Sequence, residues 1–215
     1  MPACPVGRER EKEGEVHLCI QDTLKRQANR LFFIYLCVNF SMEVKSKKAS
    51  ESLIQMTELV LPNDTNVFGN LMGGRLMYWM DIAAALSAQK HANAPVVTAS
   101  VDNISFEAPI KLGNAVYIHA KVTRAFTSSM EVHMEVWGED LKNQHKYKSN
   151  EAYYTFVALN AEGKAAPVPQ LTPETEKEQR LYEGAIRRRQ LRLILGGKMK
   201  PNDAAELKAL FVNQS

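Results

Sequence analysis

One carboxylate in an apolar segment, directly after a glycine-rich turn, is the first candidate for chemistry in this chain. Asp81 is the only charged residue in residues 76–88, and the glycine-rich residues 69–74 lie just before it. A helix over this segment would be apolar on every side and therefore buried. An isolated buried carboxylate is costly unless it is hydrogen-bonded or functional. Asp81 could orient or deprotonate a water, or attack a substrate directly; alternatively, it caps a neighbouring backbone group.

The glycine-rich turn offers a second candidate feature, the free N–H groups at the start of the predicted helix. The first N–H groups of a helix have no partner within it, and the helix dipole favours negative charge there. Gly73 and Gly74 lack side chains, so a ligand could approach the backbone and a developing oxyanion could be held. Alternatively, Gly74 only lets a helix and a sheet pack. Asn70 could position a water or the reacting group, or simply stabilise the turn.

Other catalytic arrangements are missing from the sequence. It has neither a Gly-x-Ser-x-Gly elbow nor a His-Glu-x-x-His pair, and the glycines lack the Lys-Ser/Thr pair of a nucleotide P-loop. No metal site is expected. Glu131, His133 and Glu135 alternate along one predicted strand, and we interpret them as a solvated or subunit-facing stripe.

Composition narrows the class of protein. The net charge of +3 is low for a nucleic-acid binder. The apolar run at residues 31–40 is too short to cross a membrane. The three cysteines all precede residue 42, a distribution that fits a reducing cytoplasm. We expect no nucleic-acid partner, no membrane partner and a cytoplasmic location.

Hydrophobic periodicity predicts one long helix and about five strands. The helix covers about residues 73–91, and the strands cover residues 53–61, 96–106, 116–123, 130–137 and 153–159. Short connections between consecutive strands indicate an antiparallel sheet, so the fold class is α+β. A second helix is predicted from Pro173, as its first residue, to Leu195, with a short helix at residues 201–211. We divide the chain into an N-terminal extension (1–45), a catalytic domain (46–171) and a C-terminal helical segment (172–215).

Several short motifs, in order, resemble one family. They are Asp64-Thr65-Asn66, the glycine-rich residues 69–74 and Trp79-Met80-Asp81, followed by residues 97–102, 127–132, 155–159 and 167–169. Together they are similar to the signature of the hotdog-fold acyl-CoA thioesterases, over about residues 53–195. Arg75 departs from the family pattern, where many relatives carry an aromatic or small residue, and this leaves the acyl-chain preference open.

The resemblance implies a sheet wrapped around the central helix and a homodimer with shared active sites, commonly within a trimer of dimers. It implies that Asp81 acts as base or nucleophile and that Asn70 comes from the partner subunit. The expected reaction is hydrolysis of an acyl-CoA thioester to the free acid and coenzyme A, with no cofactor and no metal.

Coenzyme A carries phosphates, which need donors and positive charge. Arg124 and the hydroxyl residues Thr127, Ser128 and Ser129 lie at a predicted strand turn, where they could bind the diphosphate. Arg188, within the basic run at residues 187–192, could meet the 3′-phosphate. The alternatives are ordinary turn polarity and a solvated charged face.

Three other functions remain open at this point. A hotdog hydratase or dehydratase would generally pair a histidine with a carboxylate near the helix, and no histidine lies close to Asp81 in sequence. A non-catalytic acyl-CoA sensor would keep the pocket without turnover. An interaction protein would use the basic C-terminal helix.

Overall fold

A five-stranded antiparallel sheet and one long helix form the centre of the protein. The computed structural model describes residues 46–212, so the predictions about residues 1–45, including the cysteines and the apolar run, lie outside the described residues. The main sheet has the order β2-β4-β5-β6-β3. Its strands are β2 (Ile54–Leu59), β3 (Val96–Phe106), β4 (Ala115–Ala125), β5 (Ser129–Asp140) and β6 (His145–Ala158). Two short strands, β1 (Lys47–Lys48) and β7 (Leu171–Thr172), pair in parallel.

The helix α1 (Gly73–Ala92) packs on one face of the sheet. Alternation along β4 supplies that face, because Val116, Ile118, Ala120 and Val122 are all fully buried. The helix ends at Asn93, whose φ of 52° is the left-handed conformation that asparagine tolerates at helix ends. The predicted helix, the alternation of β4 and the antiparallel sheet of the α+β class are confirmed.

The helix α2 (Glu176–Leu195) contacts the face of the sheet opposite α1. The strand side chains that point away from α1 make this contact. Lys121 of β4 binds Glu178, and Glu131 of β5 binds Arg188. A short helix, α3 (Ala205–Val212), follows it. Single-turn 3₁₀ helices cover Ala49–Ser52, Pro62–Asp64 and Pro201–Asp203. None of the helices in residues 46–212 combines the length and apolar character that a membrane span requires.

Three expectations from the sequence need correction. The helix α2 begins at Glu176 rather than Pro173, because Thr175 caps it and exchanges hydrogen bonds with Glu178. The strand β6 begins at His145 rather than Tyr153, since its polar first half pairs with β5 along its length. The helix α1 is not buried on every side, because Tyr78, Ile82 and Leu86 are exposed.

All of residues 46–212 belong to one compact unit. The boundary between a catalytic domain and a C-terminal helical segment at residues 171 and 172 therefore stays a prediction.

Candidate active site

Asp81 lies in the middle of α1, where β3 supplies a hydrogen-bond donor. The Thr98 hydroxyl donates to Asp81 Oδ1 at 2.9 Å. The carboxylate is half-buried, so it retains access from outside the sheet. Tyr154 of β6 is buried nearby, and burial together with the charge of Asp81 raises its pKa to about 12. Tyr154 therefore stays a neutral phenol beside the carboxylate.

The surface around Asp81 is apolar. Ile82 follows it directly in α1, and Tyr78 lies one turn before it; both are exposed. Val101 continues this surface on β3, which is an edge strand of the sheet, because it pairs with Tyr154 on the face that packs against α1. A half-buried carboxylate in the middle of an exposed apolar surface is the arrangement expected where a second molecule covers the site.

Within residues 46–212, the start of α1 has no side-chain cap. Met72 is the N-cap residue, and none of the described side chains accepts from the first N–H groups. A Cβ atom at Gly74 would have nothing within 4 Å, whereas one at Gly73 would meet the Phe106 ring at 3.3 Å. Gly73 is therefore the glycine that allows close packing, and Gly74 leaves open space beside the helix N-terminus. The open space at Gly74 contradicts the alternative in which Gly74 only lets the helix and the sheet pack.

Two asparagines lie in the turn before the helix. Asn66 Oδ1 accepts hydrogen bonds from the N–H groups of Phe68 and Asn70, at 3.0 and 3.2 Å. The Asn66 N–H in turn donates to the Asn70 carbonyl at 2.8 Å. The Asn66 carboxamide oxygen is thus used to shape the turn, which leaves its NH₂ group as the available donor.

An ion pair fixes this turn against α1. The Arg75 Nε donates to the buried Asp64 at 2.8 Å, and Asp64 also accepts from the Leu61 N–H at 3.0 Å. The Arg75 guanidinium lies over the rings of Tyr78 and Trp79, 5.4 and 5.3 Å from their centroids. Arg75, which departs from the family pattern, therefore connects the asparagine turn to the first turns of the helix.

A cavity of about 280 Å³ opens beside the asparagine turn. Asn66 and Asn70 line one side of it, and Phe106 with the segment that follows β3 lines the other. Asp81 is not among the lining residues. Within one copy of the chain, the structure therefore brings the two asparagines together and leaves Asp81 apart from them.

The residues predicted to bind phosphate divide into two groups. Arg124 and Thr127 line an open cavity of about 500 Å³, together with Phe126 and Arg189. Arg124 also donates to the Tyr182 carbonyl at 2.9 Å. Ser128 and Ser129 complete the β4–β5 turn, where their carbonyls accept from Ala158 and Phe126. The β4–β5 turn therefore lies beside the positive charge of Arg124, as the sequence predicts.

Arg188, which was expected to meet the 3′-phosphate of coenzyme A, forms an ion pair within the chain instead. Its guanidinium binds both oxygens of Glu131, at 2.7 and 3.0 Å, and also donates to the Leu181 carbonyl at 2.7 Å. Glu131 is only 1% exposed, so this ion pair occupies the guanidinium inside the chain. Arg189, whose guanidinium lies 4.7 Å from the Phe126 ring centroid and lines the cavity, is the better placed arginine.

The stripe on β5, expected to be solvated or subunit-facing, lies against α2, and its half-buried Glu135 pairs with Lys177 at 2.9 Å. Glu131 lies beneath Arg188, and His133 is buried, with its Nε2 2.7 Å from Glu151. Burial lowers the pKa of His133, although the Glu151 carboxylate opposes this shift. These residues support the contact between the sheet and α2, on the side away from Asp81.

Sequence reasoning did not single out Asn66 or Thr98 as site residues. Asn66 appeared in the sequence only within the motif Asp64-Thr65-Asn66, with no role of its own. Thr98 carried no local signal, because its partner lies 17 residues away in a different element. In residues 46–212, no three His, Cys, Asp or Glu side chains are grouped as metal ligands would be; independence from metals and cofactors stays a prediction.

Comparisons with known proteins agree with this geometry. Residues 68–143 match the thioesterase superfamily. YkhA of Bacillus subtilis, named as an uncharacterized acyl-CoA thioester hydrolase, is 39% identical over 144 residues, which cover 67% of this chain and 84% of YkhA. Acyl-coenzyme A thioesterase 11 of Mus musculus is 44% identical over 147 residues, or 68% of this chain. This chain spans only 25% of that longer relative. A further relative, from Rattus norvegicus, is a cytosolic acyl coenzyme A thioester hydrolase, 38% identical over 62% of this chain and 36% of its own length.

Solved structures lead to the same family. An apo-hexameric acyl-CoA thioesterase has a TM-score of 0.69 and 39% identity, over 71% of this chain and 97% of its own. An acyl-CoA hydrolase from Staphylococcus aureus, in complex with butyryl coenzyme A, coenzyme A and coenzyme A disulfide, has a TM-score of 0.66 and 40% identity over 71% and 95%. Alanine variants of an aspartate, a threonine and an asparagine of the S. aureus enzyme have also been solved. The chain, with its hotdog fold, belongs to the thioesterase superfamily, among the acyl-CoA thioester hydrolases.

Proposed function

We propose that this chain hydrolyses acyl-CoA thioesters to a carboxylic acid and coenzyme A, with Asp81 as the base or nucleophile. One observation carries the proposal. The Asp81 carboxylate accepts a hydrogen bond from Thr98 and lies half-buried in an exposed apolar surface. Thr98 holds one carboxylate oxygen, which leaves the other able to face a water or a thioester carbon.

The spacing of three polar residues supports these roles. In the S. aureus enzyme, the substituted asparagine precedes the substituted aspartate by 15 residues, and the substituted threonine follows it by 17. In this chain Asn66, Asp81 and Thr98 have the same residue types and the same spacing. The pattern favours Asn66 as the catalytic asparagine and leaves Asn70 as a second donor in the same turn.

The site is shared between two copies of the chain in this proposal. Asn66 and Asn70 line the small cavity, and Asp81 lies outside it on an apolar surface that includes Ile82. A second copy covering that surface would bring its asparagine turn to Asp81. The hexameric relative supports assembly, and a homodimer within a trimer of dimers is the arrangement we propose.

The reaction follows from these positions. The thioester carbonyl oxygen binds at the open N-terminus of α1, near Gly74, in the copy that supplies the asparagine turn, while Asp81 comes from the other copy. There, N–H groups and the helix dipole stabilise the developing negative charge. Asp81 either deprotonates a water that adds to the carbonyl carbon or adds itself to form an acyl-enzyme that water then cleaves. The C–S bond breaks in either route, and the departing thiolate takes up a proton. No metal or cofactor is needed for these steps.

The cavity beside the β4–β5 turn is the proposed site for the phosphates of coenzyme A. Arg124 and Arg189 supply positive charge, and Thr127 supplies a hydroxyl at the rim. Ser128 and Ser129 flank it in the turn. The name of the rat relative supports a cytosolic location.

The decisive experiment is a thiol-release assay with a panel of acyl-CoAs. Asp81→Asn should reduce kcat by at least ~10²-fold, as expected for loss of a general base, while the oligomer stays intact. Glu162→Gln, in the exposed turn after β6, is the matched control and should keep the parent rate. An Asp81→Asn protein that turns over at the parent rate would refute the role of Asp81. Acyl-CoA binding without thiol release by the parent would instead identify a sensor.

A complementation experiment tests the shared site. Asp81→Ala and Asn66→Ala proteins, inactive alone, should regain part of the parent activity when they are mixed and allowed to exchange subunits. Mixing Asp81→Ala with Asn70→Ala shows which asparagine is essential. Two variants that stay inactive in verified mixed oligomers would place all of the catalytic groups in one copy.

A further inference from the structure

The aromatic ring of Phe106, at the end of β3, borders the cavity beside the asparagine turn. Phe106 is 55% exposed, although it is a large apolar residue. Its ring lines the cavity beside Asn66 and Asn70, and it approaches the start of α1 closely enough to meet a Cβ atom at Gly73. One side chain thus borders both the asparagine turn and the helix N-terminus.

The cavity is small, and its lining has a polar part and an apolar part. Its volume of about 280 Å³ is just below the range usual for ligand sites, ~300–1,000 Å³, so it suits only part of an acyl-CoA. Its polar lining comes from Asn66, Asn70, Glu107, Ser149 and Asn150. Its apolar lining comes from Leu71, Leu76, Phe106, Ala108, Pro109 and Ile110. This lining fits the first carbons of an acyl chain.

The backbone of residues 105–109, which forms the wall of the cavity around Phe106, is held by side chains of β6. The Asn150 Nδ2 donates to the Ser105 carbonyl at 2.8 Å, and the Ser149 hydroxyl donates to the Ala108 carbonyl at 2.6 Å. Both residues are buried, with 1% of their surface exposed. The Tyr147 hydroxyl donates to the Pro109 carbonyl at 2.9 Å.

A glycine in β5 makes the Tyr147 contact possible. Gly138 pairs with Tyr147, and a Cβ atom at Gly138 would lie 2.7 Å from the tyrosine ring. The ring therefore crosses the backbone at Gly138 to reach the loop. Three carbonyls in residues 105–109 are thus bound by side chains of one strand, which favours a wall that keeps its shape when a ligand presses on it.

We infer that Phe106 is a specificity-determining residue that limits acyl-chain length by closing the apolar end of this cavity. The inference rests on the proposed function, because it assigns the cavity to the acyl group of the same site. Removing the ring should open the cavity toward the solvent-exposed end of β3 and admit longer chains. A larger residue at Gly73 should press the ring into the cavity and restrict the site to shorter chains.

The test compares chain-length profiles for thiol release with those for binding of non-hydrolysable S-alkyl coenzyme A thioethers. Phe106→Ala should improve the ratio of long-chain to short-chain kcat/KM by at least ~10-fold, because a pocket discriminates a single methylene by about that factor. The thioether Kd values should shift in the same direction. Gly73→Ala should shift both profiles toward shorter chains. Leu112→Ala, an exposed apolar residue of the same loop that does not line the cavity, should leave both unchanged.

The outcomes separate the inference from the proposed function. Unchanged thioether and hydrolysis profiles in a folded, assembled Phe106→Ala protein would overturn the inference and leave hydrolysis established. A shifted thioether profile without thiol release by the parent would support the inference and refute hydrolysis. A parent protein that neither binds nor hydrolyses any member of the panel would overturn both.

Discussion

The Thr98 hydroxyl donates a hydrogen bond of 2.9 Å to the Asp81 carboxylate across the contact between β3 and α1. This bond selects the orientation of a carboxylate that otherwise has apolar neighbours.

Thr98→Val is therefore expected to lower kcat while it changes KM little. Hydrogen bonds to charged groups contribute about 1.5–3 kcal/mol, which corresponds to roughly a 10- to 100-fold change in rate. Steady-state thiol-release kinetics measure the effect. Thr98→Ser keeps the hydroxyl and should recover most of the rate. A valine variant with the parent kcat would show that Thr98 serves only packing.

The ion pair between Arg188 and Glu131 should contribute to stability. Arg188→Ala leaves the buried Glu131 carboxylate without its ion-pair partner, with the Thr123 hydroxyl still donating to it at 2.7 Å. Breaking such a pair costs about 3–5 kcal/mol. Urea unfolding should show a reduced free energy of unfolding of that order. Arg180→Ala is the matched control on the same helix, because Arg180 is 81% exposed and pairs with Glu176 at 3.4 Å. Such surface pairs contribute about 0.5 kcal/mol.

A second variant shows whether the buried charge causes the loss. Adding Glu131→Gln to Arg188→Ala removes that charge and should recover part of the stability. Equal unfolding free energies for Arg188→Ala and Arg180→Ala would contradict the assignment.

The elements with strong local patterns could be predicted from the sequence. The helix α1 follows a glycine turn and ends at Asn93, and β4 alternates between buried and polar residues. These signals are local, so the sequence predicts them well. The first half of β6 was missed because its polar side chains hide the strand pattern, and only pairing with β5 makes it a strand.

The site was only partly predictable, for a related reason. Asp81 stood out because its charge conflicts with its apolar neighbours. The hydrogen bond from Thr98 to Asp81 depends on how β3 packs on α1. The ion-pair partner of Arg188 lies 57 residues away in sequence. No local pattern distinguishes an arginine that binds a buried glutamate from one that faces a ligand.

The apolar surface beside Asp81 leads to a prediction about assembly. Ile82→Asp places a charge on the exposed face of α1 that a second copy is proposed to cover, where it would be buried without a partner. Light scattering should show smaller oligomers, and thiol release should fall with them because the site is shared. Leu141→Asp, at an exposed leucine between β5 and β6, is the control and should leave the oligomer unchanged. A fully assembled Ile82→Asp protein would exclude this face as the interface.

The buried His91 of α1 should make the stability of the protein depend on pH. Its Nε2 donates to the Pro169 carbonyl at 2.8 Å, and its buried Nδ1 has no hydrogen-bond partner in the described part of the chain. Burial lowers the pKa of His91, and the nearby Lys47 lowers it further, although Pro169 and Glu51 oppose the shift.

The depressed pKa means that the unfolded chain takes up a proton at His91 at a higher pH than the folded protein does. The stability associated with the neutral ring is therefore complete above the ordinary histidine pKa, ~6.5, and is lost as the pH falls below that value. Urea unfolding at about pH 7 and about pH 5.5 brackets the start of this loss and lies above most carboxylate titration. His91→Gln should lose less stability between the two pH values than the parent does. His145→Gln, at an exposed histidine, should lose as much as the parent. An equal loss in His91→Gln and the parent would show that other groups, such as the buried His133, cause the pH dependence.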